Sequence, residues 1–178
     1  AISEMHARLD EVLAGGEANN PKKQALEIRR KALDIRLICE RYRVSFSSLS
    51  GWLMSVLRAL LKRTILAIKV DTNEKNIDAL ADVSIVLLEV VFYICALDLR
   101  VRSTYSICQI LSLIAVLNAK SHTDIHDRMI HVATSEINDL IRTQTLKHGR
   151  NIHRDPVELF NLLIAGAHFL GPDFIHSG

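Results

Sequence analysis

Four basic residues recur at every seventh position in the first quarter of the chain: Lys22, Arg29, Arg36 and Arg43. A step of seven residues drifts only about 20 degrees around an α-helix, so this basic row predicts a stripe of charge roughly 30 Å long. A stripe with this spacing could follow the phosphates of a nucleic-acid strand. Acidic residues between the four lie close enough to pair with part of the row, and the alternative is an ordinary solvated helix face.

Two further arginines, Arg100 and Arg102, flank a polar corner at residues 98–104 between two apolar segments. A helix that begins here exposes free backbone N–H groups, and two guanidiniums beside them would suit a phosphate. The alternative is structural: the arginines would cap the carbonyls of the preceding helix and pair with Asp98. We therefore keep both arginines as candidate nucleic-acid contacts.

Arg142 and His148 are separated by five residues, a spacing similar to the Arg-x4-6-His pattern of the all-helical HEPN ribonucleases. In such a site the histidine takes the proton of a ribose hydroxyl and the arginine offsets charge on the phosphate. On a continuous helix a step of six leaves two side chains about 120 degrees out of alignment. A HEPN-type ribonuclease is therefore an alternative function, and we expect purified protein to leave RNA intact.

Metal, cofactor and catalytic motifs are not evident. His122 and His126 stand four apart, but no third ligand has a convincing spacing. The three cysteines, Cys39, Cys95 and Cys108, lie far apart in apolar surroundings and predict buried thiols in a reducing, cytoplasmic compartment. We expect no metal and no cofactor, and whether the chain is an enzyme is left uncertain.

The pattern of start signals, stop signals and apolar spacing predicts about seven helices. A linker is expected at residues 15–21, and Asp71 begins a capping box for the fourth helix. The predicted helices are residues 3–14, 22–43, 52–69, from near 72–76 to the corner, 102–118, 122–147 and 156–170. Short connections favour antiparallel hairpins stacked as a bundle or a HEAT-like repeat, in a single domain over residues 1–178.

The centre of the chain is strongly apolar, since 29 of the 41 residues from Ile77 to Leu117 are hydrophobic. Polar residues such as Asp82 and Glu89 argue against a membrane span and favour two buried helices. The segment holds more apolar surface than its neighbours can plainly cover, which predicts association, with a homo-oligomer as one form. A net charge of +2 is too small to indicate nucleic-acid binding by itself.

The segment from Leu80 to Ile110 resembles the helical C-terminal domain of bacterial defence-associated reverse transcriptases, which include abortive-infection enzymes. The likeness is carried by a corner between two apolar helices, with these residues: Phe92, Tyr93, Asp98, Arg100, Thr104 and Tyr105. It extends over roughly residues 80–117, is weaker around Pro156 to Ala165, and is absent before Trp52.

The resemblance implies an α-helical scaffold that forms part of a larger RNA-directed DNA polymerase. The polymerase domain with its acidic catalytic residues would lie upstream of this chain. The domain would guide single-stranded DNA or RNA in phage defence and support assembly. A protein-interaction scaffold without nucleic acid is the third alternative.

Overall fold

The computed structural model describes residues 2–14, 20–42, 50–97, 101–118 and 122–148. These residues form six α-helices and a 3-10 turn at Val116–Asn118, with no strand in any of the five ranges. The all-α prediction is therefore confirmed, while the predicted seventh helix at residues 156–170 lies outside the described ranges. The helices are α1 (Ile2–Leu13), α2 (Pro21–Arg41), α3 (Ser50–Val70), α4 (Glu74–Leu97), α5 (Val101–Ala115) and α6 (Thr123–His148).

Side-chain caps fix the starts of α2 and α4. Asn20 Oδ1 accepts a hydrogen bond from the backbone N–H of Lys22 at 2.9 Å, and Pro21 occupies the first turn. The predicted linker at residues 15–21 therefore ends in helix-starting residues, and its residues 15–19 lie outside the description. Asn73 Oδ1 accepts from the N–H of Lys75 at 3.0 Å, while Asp71 accepts from the N–H of Asn73 at 2.8 Å. Asn73, and not Asp71, is thus the cap of α4.

The chain divides into two compact units, Ala1–Asp98 and Leu99–Gly178. In the first unit α2 and α3 both pack on α4, and α1 packs on α2. The single-domain organisation over residues 1–178 stays a prediction.

Helix α4 is the core of the first unit. Phe92, Leu87 and Leu80 are almost completely buried, and the buried Ser84 hydroxyl donates to the Leu80 carbonyl at 2.9 Å. Among the described residues α4 is the one helix that is long and apolar enough to cross a bilayer by length and composition. The core helix of a soluble protein meets the same criterion, and most of the apolar stretch of α4 is buried within the protein.

The second unit is described from α5 to α6. Both helices bury one face at helical spacing, and the 3-10 turn contacts both of them. On α5 and the turn the buried residues are Ile107, Ile110, Leu111, Ile114 and Leu117, and on α6 they are Ile125, Met129, Ala133, Ile137 and Leu140. This periodicity is the reason that the polar residues of α6 lie on its outer face.

Candidate nucleic-acid interface

Helix α2 has a core face and an outer face because its apolar residues recur at intervals of three and four. The core face consists of Ala25, Ile28, Ala32, Ile35, Ile38 and Cys39, all buried, together with the stem of Lys31. Lys31 reaches Glu27 at 3.2 Å, so this buried ammonium is paired within the same helix. The remaining charges of α2 are directed away from the core.

The first two residues of the basic row are exposed to solvent and free to bind a ligand. Lys22 and Arg29 both lie on the outer face of α2, and neither side chain pairs with any residue in the described ranges. Two exposed cations seven residues apart on one helix are about 10 Å apart along its axis. These two side chains can meet phosphates without first breaking an intramolecular contact.

Arg36 differs from Lys22 and Arg29. Each step of seven residues rotates the basic row by about 20 degrees around α2, which brings Arg36 to the contact between α2 and α4. Its guanidinium lies over the Tyr93 ring, 4.8 Å from the ring centroid, and its Nε is 3.7 Å from Glu40 Oε1. Arg36 is 42% exposed, so both contacts are partly solvated. These contacts favour a structural role for Arg36, and Arg43 lies outside the described residues.

Tyr93 is the residue of this site that sequence reasoning missed as a partner for the row. It belongs to the corner between the two apolar helices, but 57 positions separate it from Arg36, and no local spacing links the two. Its hydroxyl is buried without a hydrogen-bond partner among the described residues, so the ring face and not the hydroxyl makes the contact with α2.

The side chains of the two corner arginines, Arg100 and Arg102, lie outside the described part of the chain. Arg100 lies outside the described residues, and so do Asp98 and the side chains of Thr104 and Tyr105. For Arg102 the structure describes only the backbone, in the first turn of α5. The proposed phosphate site at the corner therefore stays a prediction.

The ribonuclease pattern falls on one unbroken helix. α6 runs through both Arg142 and His148, so the helix does not end between them and the two positions are about 120 degrees apart around its axis. Arg142 is exposed and lies 3.6 Å from Asp139. It lines an open groove of about 590 Å³ with Asp127, Ile130, His131, Thr134, Ser135, Asn138 and Asp139. The side chain of His148 lies outside the description.

The described residues contain no group of three potential metal ligands. His126 Nδ1 lies 3.2 Å from Asp127 Oδ1, a contact between neighbours on a helix. Cys39 and Cys95 are buried, and burial raises the pKa of the Cys39 thiol to about 12. Burial also raises the pKa of Cys108. Neutral thiols are poor nucleophiles and poor metal ligands.

Comparisons of this chain with protein-family models, with curated proteins and with solved structures find no match. The likeness of residues 80–117 to defence-associated reverse transcriptases therefore remains a proposal.

Proposed function

We propose that this chain is a helical scaffold domain of a phage-defence reverse transcriptase, which guides nucleic acid and supports assembly in the cytoplasm. The proposal includes the finer architecture, with about seven helices stacked as antiparallel hairpins of the HEAT-like kind, and a polymerase domain upstream. Its source is the likeness of residues 80–117 to the helical domain of those enzymes.

The observation that carries the nucleic-acid part is the exposure of Lys22 and Arg29 on α2. Both cations are solvated and unpaired among the described residues, so binding a phosphate costs no internal ion pair. Binding of this kind reads the backbone and not the bases, which suits a surface that guides a strand of any sequence.

The test is the salt dependence with which the full chain binds a labelled single-stranded oligonucleotide of about 20 nucleotides. Each phosphate contact adds about 0.7 to the slope of log affinity against log salt for a single strand. We expect Lys22→Glu with Arg29→Glu to lower affinity and to flatten the slope by about 1.4.

The matched control is Lys62→Glu with Lys69→Glu, which makes the same change in net charge on exposed positions of α3. It should leave the slope unchanged, although it lowers affinity slightly through the long-range field. Equal slopes for the two double variants would contradict the proposal, as would no binding by the wild-type chain at low salt.

A further inference from the structure

The middle of the outer face of α2 is apolar. Leu26, Leu33 and Leu37 are 63%, 40% and 61% exposed. Successive residues turn about 100 degrees around a helix, which places the three leucines within about 40 degrees of one another and opposite the buried face. We call these three residues the leucine seam. In the described part of residues 77–117, most of α4 is buried, and Val116 is the one large hydrophobic residue that is strongly exposed.

The seam has the spacing of a coiled coil. Leu26, Arg30, Leu33 and Leu37 follow one another at steps of four, three and four, the alternation of heptad positions d and a. Leu26 and Leu33 take the d positions, and Arg30 and Leu37 take the a positions. Arg30 is 57% exposed and lies 3.7 Å from Asp34, so its charge is already balanced on its own helix.

The two sides of the leucine seam differ in charge: one side is basic, and the other is mainly acidic. In this heptad frame the basic row occupies the g positions, with Lys22, Arg29 and Arg36 in the described part of the chain. The e positions on the other side hold Glu27, Asp34 and, at the end, Arg41. In parallel coiled coils each g residue faces the e residue of the next heptad on the partner helix, and these pairs set orientation and partner choice.

We propose that α2 pairs in parallel with α2 of a second copy of this chain, through the leucine seam. In that arrangement Arg29 faces Asp34 of the second copy and Lys22 faces Glu27 of the second copy. Symmetry repeats both attractions. Two kinds of contact are unfavourable: Arg36 faces Arg41 of the second copy, and Arg30, at an a position, faces Arg30 of the second copy. An antiparallel pair would instead set one basic row against the other.

The second copy is favoured as occupant because the surface is complementary to itself. A different protein would have to supply its own acidic residues, whereas this chain carries Glu27 and Asp34 on the opposite side of the leucine seam, where they also contact Lys31 and Arg30 of their own helix. The inference rests on the proposed scaffold function, for which it names the assembly surface. A second copy and a nucleic acid then compete for Lys22 and Arg29.

The first test measures the mass of the wild-type chain by sedimentation equilibrium without nucleic acid. We expect a reversible dimer in the range of about 10–500 µM, because three partly exposed leucines per copy form a short seam. Leu33→Gln with Leu37→Gln should raise the dissociation constant at least about tenfold. Leu66→Gln, at an exposed leucine of α3, is the control and should leave it unchanged. A monomeric wild-type chain, or a dimer insensitive to the seam variants, overturns the proposal.

The second test determines orientation. Arg29→Asp alone and Asp34→Arg alone should each weaken the dimer, and an equimolar mixture of the two variants should restore association. If the helices were antiparallel, Arg29→Asp would strengthen the dimer, and that result overturns the proposal. Oxidative cross-linking gives an independent check: Leu26→Cys and Leu33→Cys should both cross-link in a parallel pair.

These measurements remain separate from the proposed nucleic-acid function. Oligonucleotide binding is measured at nanomolar protein, where the seam is dissociated, and association is measured without oligonucleotide. A dimer with no oligonucleotide binding removes the proposed nucleic-acid role alone. Oligonucleotide binding by a chain that stays monomeric removes the seam proposal alone.

Discussion

Replacing Arg36 with methionine tests whether this residue of the basic row stabilises the fold. The guanidinium lies 4.8 Å from the centre of the Tyr93 ring on α4, and Glu40 is 3.7 Å from its Nε. A cation over an aromatic ring contributes about 0.5–1 kcal/mol where solvent reaches it, and an exposed ion pair within one helix contributes about 0.3–0.5 kcal/mol. Arg36→Met keeps most of the apolar stem and removes both interactions. We expect it to lower the free energy of unfolding by about 1 kcal/mol.

The assay is thermal and urea unfolding of the full chain, followed by circular dichroism. A loss of about 1 kcal/mol corresponds to a fall in Tm of about 2–4 °C for a chain of this size. Arg29→Met is the control, because it removes an exposed cation with no side-chain partner in the described ranges, and it should change stability by less than about 0.5 kcal/mol. In a double-mutant cycle, Arg36→Met and Tyr93→Leu should show a coupling of about 0.5–1 kcal/mol. Equal effects of Arg29→Met and Arg36→Met, with no coupling to Tyr93, would refute the reasoning.

Three other predictions concern the core, the buried thiol and the polar face of α6. Phe92→Ala should cost about 3–5 kcal/mol, measured by urea unfolding, because the side chain is 1% exposed at the centre of the first unit. Burial raises the pKa of the Cys39 thiol from 9.0 to about 12. The contribution of the neutral thiol to the free energy of unfolding is therefore complete below pH 9 and is lost as the pH rises from 9 to 12. The Cys39→Ala variant should lack this loss of about 1.4 kcal/mol per pH unit, and parallel stability curves from pH 8 to 11 would contradict the assignment. Purified wild-type chain and the Arg142→Ala variant should both leave labelled RNA intact, and cleavage that disappears in the variant would favour the HEPN alternative.

The helices could be predicted from sequence because their signals are local. The Asn20-Pro21 start of α2 and the three-and-four spacing of its buried residues need no knowledge of the rest of the chain. The same holds for α6, predicted at residues 122–147 and observed at Thr123–His148. The cap of α4 was misplaced by two residues because Asp71 and Asn73 are both good capping residues, and local sequence does not choose between them.

The properties of the candidate site could be predicted only in part. Heptad spacing is sufficient to place Lys22, Arg29 and Arg36 on one side of α2. It does not show which of these side chains is free to bind a phosphate and which is held by contacts within the protein. That difference depends on Tyr93 of α4, which is far away in sequence and whose ring contacts the guanidinium of Arg36. The exposure of Leu33 and Leu37 likewise depends on which face of α2 packs on α4, a choice that the tertiary structure makes.

The most direct test of the central claim, that α2 guides nucleic acid, is photochemical cross-linking of a single-stranded oligonucleotide to the full wild-type chain, with the attachment sites mapped by mass spectrometry. The account predicts cross-links concentrated in residues 21–41, on the outer face that carries Lys22 and Arg29, and their loss in the Lys22→Glu, Arg29→Glu double variant. Cross-links confined to other helices, or equally strong on α2 of the double variant, would contradict it.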